Sequence, residues 1–113
     1  DLDDEEFEEG KMLTIFHKTR ERNKKLFKMK KSTVLNITGK LLCEICGFDF
    51  EAKYGELGKG YIECHHNKPI SSLNENETIK LSDLSILCSN CHRMIHRIRP
   101  WKSVLEMKEI INL

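Results

Sequence analysis

Proline and aromatic residues are scarce in this chain. Only Pro69 and Pro100 interrupt its 113 residues, aromatics make up 7%, and Trp101 is the single tryptophan. With no proline between residues 11 and 31, nothing in that stretch forbids a helix. So few aromatics leave little bulk for a core, and a chain of this length buries only a modest one, so some other staple is expected. No apolar run approaches the ~20 residues that cross a bilayer, which excludes a membrane-spanning helix, and no membrane partner is expected. No secretory leader is visible at the start. Asp1 stands where an initiator methionine would, and the expectation is therefore a fragment or a processed chain.

The formal net charge of +1 conceals a division. Asp1, Asp3, Asp4, Glu5, Glu6, Glu8 and Glu9 put seven of the 18 acids into the first ten residues, which hold none of the 19 lysines and arginines, so residues 11–113 carry a net +8. A basic body of this kind suits a polyanionic partner. Residues 1–10 are expected to be an acidic tail or linker and residues 11–113 a single domain. Hydrophobic residues at 39% and charged residues at 33% fit a soluble domain.

Leu13, Phe16, Leu26 and Phe27 recur among polar residues at loosely helical spacing, which predicts a helix over 11 to about 31. Between Lys18 and Lys31 it carries eight bases, Arg20, Arg22, Lys24, Lys25 and Lys28 among them, against one acid, Glu21. Such a run is either a solvated face or a phosphate-contacting one. Residues 41–50 read as a strand, a turn and a strand, with Gly47 turning the backbone after Cys46. Gly55, Gly58 and Gly60 mark a loop, Tyr61 to His65 a strand, residues 71–80 a polar loop and Leu84 to Leu87 a returning strand. Ser89 is placed to cap a helix over Asn90 to Ile98, which Pro100 stops. A last helix over 102–112 would offer Val104, Leu105, Ile110 and Ile111 to the core.

The cysteines are not spread at random. Cys43-x-x-Cys46 and Cys88-x-x-Cys91 form two knuckles able to surround one zinc ion with four thiolates, and soft donors in that geometry select Zn2+. Paired thiolates of this kind argue for a reducing, cytoplasmic compartment rather than a secreted disulfide framework. The 41 residues between the knuckles exceed an ordinary zinc-ribbon gap and leave room for an inserted hairpin. Cys64, the odd cysteine, reads as a small apolar residue packed behind that hairpin.

Histidines fill the space between. His92 and His96, four apart on the expected helix, project from one face and can share a divalent ion, with His65 as a third ligand. His66, next to His65 on a strand, points to the opposite side and is the candidate general base, because imidazole titrates near neutral pH. His17 lies outside this pattern and reads as an ordinary helix histidine.

Two stretches, Ile62-Glu63-Cys64-His65-His66-Asn67-Lys68-Pro69 and Asp83-Leu84-Ser85-Ile86-Leu87-Cys88-Ser89-Asn90-Cys91-His92-Arg93-Met94-Ile95-His96, resemble the HNH nuclease family. Glu21-Arg22-Asn23 and Cys43-Glu44-Ile45-Cys46-Gly47-Phe48-Asp49-Phe50 look like its cysteine-bearing branch, found in restriction endonucleases that attack modified DNA. The resemblance covers roughly residues 10 to 98. It implies a small α+β, zinc-stabilised ββα-metal domain with an added N-terminal basic helix, acting as a metal-dependent DNA endonuclease. It implies a structural Zn2+ at the cysteines and one catalytic divalent ion, Mg2+, Mn2+, Ni2+ or Zn2+, with His65 as a ligand and His66 activating water.

Asp83 occupies the family's middle asparagine position, and is expected to brace the hairpin rather than touch the metal. Glu63 resembles a carboxylate that supports a ligand from behind. Arg93 and Arg97 are expected to hold phosphate. DNA is the expected partner, with a homodimer and a separate DNA-recognition domain left open. Two other readings stand beside this one: a non-catalytic zinc-ribbon DNA-binding module, and a structure-specific nuclease on branched DNA.

Overall fold

A computed structural model describes residues 9–68 and 79–112. The expected acidic tail lies largely outside the described residues, as does most of the polar loop over 71–80, so neither is characterised.

The first helix, α1 (Glu9–Thr38), runs a full two turns past the expected end near residue 31. The β-branched residues Thr33, Val34 and Thr38 disguise this continuation, yet both threonine hydroxyls donate to the carbonyls four residues back, Met29 and Val34, at 2.9 Å. Gly39, at φ 75°, closes the helix in the left-handed conformation and its N–H donates to the Leu35 carbonyl at 2.9 Å.

Residues 41–50 do not form the two expected strands. A single antiparallel bridge joins Leu42 to Asp49, and within it the Cys43 N–H donates to Phe48 O at 3.0 Å while Gly47, at φ 79°, donates to Cys43 O at 2.8 Å. Extension stops there because Asp49 is a helix cap: its Oδ1 accepts from the N–H groups of Glu51 and Ala52 at 3.0 and 3.3 Å. That cap starts α2 (Phe50–Tyr54), which the sequence reading missed, and a 3-10 turn over Gly55–Gly58 follows.

The hairpin is β1 (Glu63–His66) against β2 (Leu84–Leu87), antiparallel, with His65 opposite Ser85 and His66 opposite Leu84. A 3-10 turn over Leu81–Asp83 leads into β2. All four residues of β2 are buried, because the hairpin is covered on both faces. On one face Ile86 joins Leu41, Ile62 and Cys64 beneath Phe27 and Val34 of α1. On the other Leu87 joins Cys43, Ile45, Cys88, Cys91, Ile95 and Met107. Cys64 is thus the packed apolar residue that the sequence suggested.

α3 (Ser89–Arg97) follows β2 directly. Its N-cap is Cys88 rather than Ser89: the Cys88 sulfur accepts from the Cys91 N–H at 3.4 Å. α4 (Val104–Ile111) opens on a capping box, in which the Ser103 hydroxyl accepts from Glu106 N and Glu106 Oε1 accepts from Ser103 N, both at 3.1 Å. This cap fixes the helix phase so that Val104 and Met107 meet the cysteine-lined core. Leu105 is consequently 66% exposed, and Ile110 and Ile111 are also exposed, against the expectation that all three are core residues. No helix among the described residues is long and apolar enough to cross a membrane.

Candidate metal centre

Two clusters of donor atoms flank α3. Cys43, Cys46, Cys88 and Cys91 bring their sulfurs within 4.8 Å of one another, and the side chains of His65, His92 and His96 do the same with one ring nitrogen each. Both sets are those expected from spacing alone. α3 contributes Cys91 to the first and His92 and His96 to the second.

The cysteine cluster fits a soft tetrahedral ion. Four sulfurs from two knuckles converge, Cys46 lies 3.6 Å from Cys88, and none of the five cysteines is in a disulfide. Burial works to raise Cys43, but the backbone N–H groups of Cys46, Cys88 and Ile45 aimed at its sulfur outweigh it and hold its pKa below the ordinary thiol value. Burial raises Cys88 and Cys91, each helped by neighbouring sulfurs that compete for negative charge. Four thiols crowded in this way favour a cation in their midst. The tetrad can hold zinc.

The histidine cluster is built differently. His65 is 1% exposed, and its pKa is pushed down to about 4, first by burial and then by His96 and His92. Burial likewise lowers His96, with His92 and Arg99 adding to it. Neutral imidazoles are the metal-binding form. His65 Nδ1 is buried without a hydrogen-bond partner among the described residues, a cost that a bound cation would remove. His92 Nδ1–H donates to Glu63 Oε1 at 2.8 Å, which leaves the lone pair on Nε2. Burial would raise Glu63, but hydrogen bonds from Ser89, His92 and Tyr61 hold it below the ordinary carboxylate value. Three nitrogens leave room in a coordination sphere for further ligands.

His66 stands apart from both clusters. Strand alternation turns it to the α1 side, where its ring meets Phe27 at a centroid separation of 5.6 Å, and its Nε2 is buried with no hydrogen-bond partner among the described residues. Burial, with His92 adding to it, lowers its pKa.

Asp83 is not brought to the histidines. Its Oδ2 accepts from Lys80 N at 2.9 Å and its carbonyl accepts from Asn67 N at 2.8 Å, so it ties the turn before β2 to the end of β1. Asn67 Oδ1 in turn accepts from the Ser85 hydroxyl at 2.9 Å. Lys24, Lys25 and Lys28 are exposed on α1, and Arg93 and Arg97 are exposed on α3. Arg20 and Arg22 lie on α1, N-terminal to the first side chains that the structure describes.

Sequence reasoning missed Trp101. Its indole lies parallel to His65, 17° between planes and 5.5 Å between centroids, and meets His96 edge-on at 6.3 Å. The single tryptophan beside Pro100 was the available signal, since an indole just past a helix stop can fold back on that helix.

A two-stranded hairpin and a helix bring three histidines together, with a fourth on the opposite strand face. The model of the HNH endonuclease family matches residues 43–97 of this chain. Over 66 residues the chain is 36% identical to the type IV methyl-directed restriction enzyme EcoKMcrA of Escherichia coli (strain K12). That alignment takes in 58% of this chain and 22% of the relative, so the chain spans about a fifth of that protein's length. No solved structure matches significantly.

Proposed function

We propose that this chain is the nuclease domain of a restriction-type enzyme and hydrolyses DNA phosphodiester bonds with the help of a divalent metal. One observation carries the reading: adjacent histidines on β1 serve opposite faces, His65 in the cluster with His92 and His96, and His66 toward Phe27 of α1. His65, His92 and His96 would hold Mg2+, Mn2+, Ni2+ or Zn2+. Such an ion, when bound, neutralises charge developing on the phosphate.

His66 accepts the proton of the attacking water on its imidazole ring. Its lowered pKa keeps the ring in the neutral, proton-accepting form at neutral pH, and contact with Phe27 holds the ring in place. Asp83 contributes by bracing, since its carboxylate is already engaged by the Lys80 backbone. Arg20, Arg22, Lys24, Lys25 and Lys28 on α1, with Arg93 and Arg97 on α3, hold the DNA backbone without reading bases. The cysteine tetrad binds zinc and anchors the start of α3.

Direction by methylation is said of EcoKMcrA, of which this alignment takes in 22%, and we assign any such selectivity here to a recognition domain other than the HNH domain. We assign the chain to a reducing, cytoplasmic compartment, where paired thiolates stay available to a metal.

The test is His66→Ala. Plasmid cleavage by the metal-loaded chain is expected to fall by about 10²- to 10⁴-fold, the usual contribution of a positioned base, with metal content and DNA affinity unchanged. A non-catalytic zinc-ribbon module would show no cleavage to lose. Cleavage at the parental rate by the variant, with contaminating nuclease excluded, removes His66 as the base. Comparing linear duplex with branched DNA separates a restriction-type activity from a structure-specific one.

A further inference from the structure

Glu63 is gripped from three sides. Its Oε1 accepts from His92 Nδ1–H at 2.8 Å, while its Oε2 accepts from the Ser89 hydroxyl at 2.7 Å and the Tyr61 hydroxyl at 3.0 Å. Neither hydroxyl is occupied by secondary structure. The cap of α3 is Cys88, which leaves the Ser89 side chain free to turn toward β1. The Tyr61 ring is steadied edge-on by Phe50, at a centroid separation of 4.7 Å, so its phenol is delivered to Glu63 by packing.

A carboxylate on a strand end can rotate, and an imidazole can carry its proton on either nitrogen. One hydrogen bond between them restrains both only weakly. Two further donors on Oε2 stop the rotation and commit Oε1 to His92. His92 is then fixed with the proton on Nδ1 and the lone pair on Nε2.

We propose that Tyr61 and Ser89 are positioning residues for the histidine metal site: their hydroxyls clamp Glu63, which holds His92 in the ring orientation and tautomer that bind a cation. The inference rests on the reading of His65, His92 and His96 as ligands. Ser89 lies inside the Cys88-x-x-Cys91 knuckle, so the clamp also ties the cysteine cluster to the histidine one by a hydrogen bond outside the backbone.

Binding is measured on the full chain, zinc-loaded at the cysteines, with Ni2+ titrated by calorimetry and by Trp101 fluorescence, an indole stacked on His65 and the sole tryptophan of the chain. Tyr61→Phe keeps the ring and its packing, and Ser89→Thr keeps the hydroxyl. Ni2+ affinity is expected to fall by about 10- to 100-fold in Ser89→Ala and in Tyr61→Phe, the usual cost of removing a supporting partner, and to return in Ser89→Thr. Zinc content and circular dichroism stay at parental values throughout. Should the double variant Tyr61→Phe/Ser89→Ala bind Ni2+ within twofold of the parent, the clamp is overturned and the ligand reading stands. Should His92→Ala also bind Ni2+ like the parent, the ligand reading itself fails and the clamp falls with it.

Discussion

The cysteine cluster and the histidine cluster sit on one helix and differ in almost every physical respect. The first offers four soft sulfurs, most of them buried, inside the larger apolar core with Ile45, Leu87, Ile95 and Met107. The second offers three ring nitrogens backed by a carboxylate and an indole. Four donors complete a tetrahedral sphere and leave nothing for a substrate, whereas three leave a position for water or a phosphate oxygen. In the proposed reading, the closed site holds this small fold together and the open one serves the chemistry.

The largest expected effect comes from breaking the closed site. Cys43→Ala or Cys88→Ala removes a thiolate from the proposed zinc centre, and zinc worth about 10 to 16 kcal/mol in zinc-finger peptides is expected to decide whether the chain folds. Circular dichroism is expected to show loss of cooperative structure, and the histidine site is expected to disappear with it. Retention of the parental spectrum at zero zinc would show that the apolar core suffices.

Next in size is the open site. His92→Ala leaves the fold and the zinc in place and weakens the exchangeable ion by more than the roughly 10- to 100-fold attributed to a supporting residue. Cleavage is expected to recover partly at high metal concentration, which distinguishes it from His66→Ala, where added metal restores nothing. Equal recovery in both variants would erase the distinction between ligand and base.

The two clusters also predict different responses outside the metals. Lys24, Lys25 and Lys28 are exposed on α1, the helix whose Phe27 packs against His66. Replacing one by Ala is expected to flatten the slope of log affinity against log salt by about 0.9 for each phosphate left unneutralised, with cleavage of saturated DNA unchanged. An unaltered slope would assign that lysine to a merely solvated face.

The smallest effect concerns Cys64, which belongs to neither cluster. Burial pushes its pKa up to about 11, with the lysines at 31 and 30 opposing only in part. Because the folded state holds the neutral thiol, its contribution is intact below the ordinary thiol range and is lost as pH rises from about 8.5 toward 11. Cys64→Ala is expected to lessen the alkaline fall in stability measured by urea titration. At neutral pH the native protein is expected to leave Cys64 unlabelled by iodoacetamide.

Both clusters were legible in the sequence because ligand spacing is local arithmetic: two residues between cysteines at a knuckle, four positions between histidines on a helix, one step between His65 and His66 on a strand. Longer-range geometry was not. Trp101 reaches His65, and Ser89 reaches Glu63, only after β2 and α3 have folded against β1. Leu105 looked like a core residue by composition, and only the Ser103 cap, by setting the phase of α4, turned it outward. Asp49 deceived in the same way, since its capping of α2 ended a strand that the neighbouring apolar residues favoured.

Cys91 and His92 are consecutive residues, one serving each cluster. Each residue of an α-helix advances by about 100°, so a single insertion or deletion between them would swing both His92 and His96 off their face while leaving the knuckle intact. Length variation, the ordinary raw material of loops, is therefore closed to this junction. Over time the two sites can change their residues but not their separation.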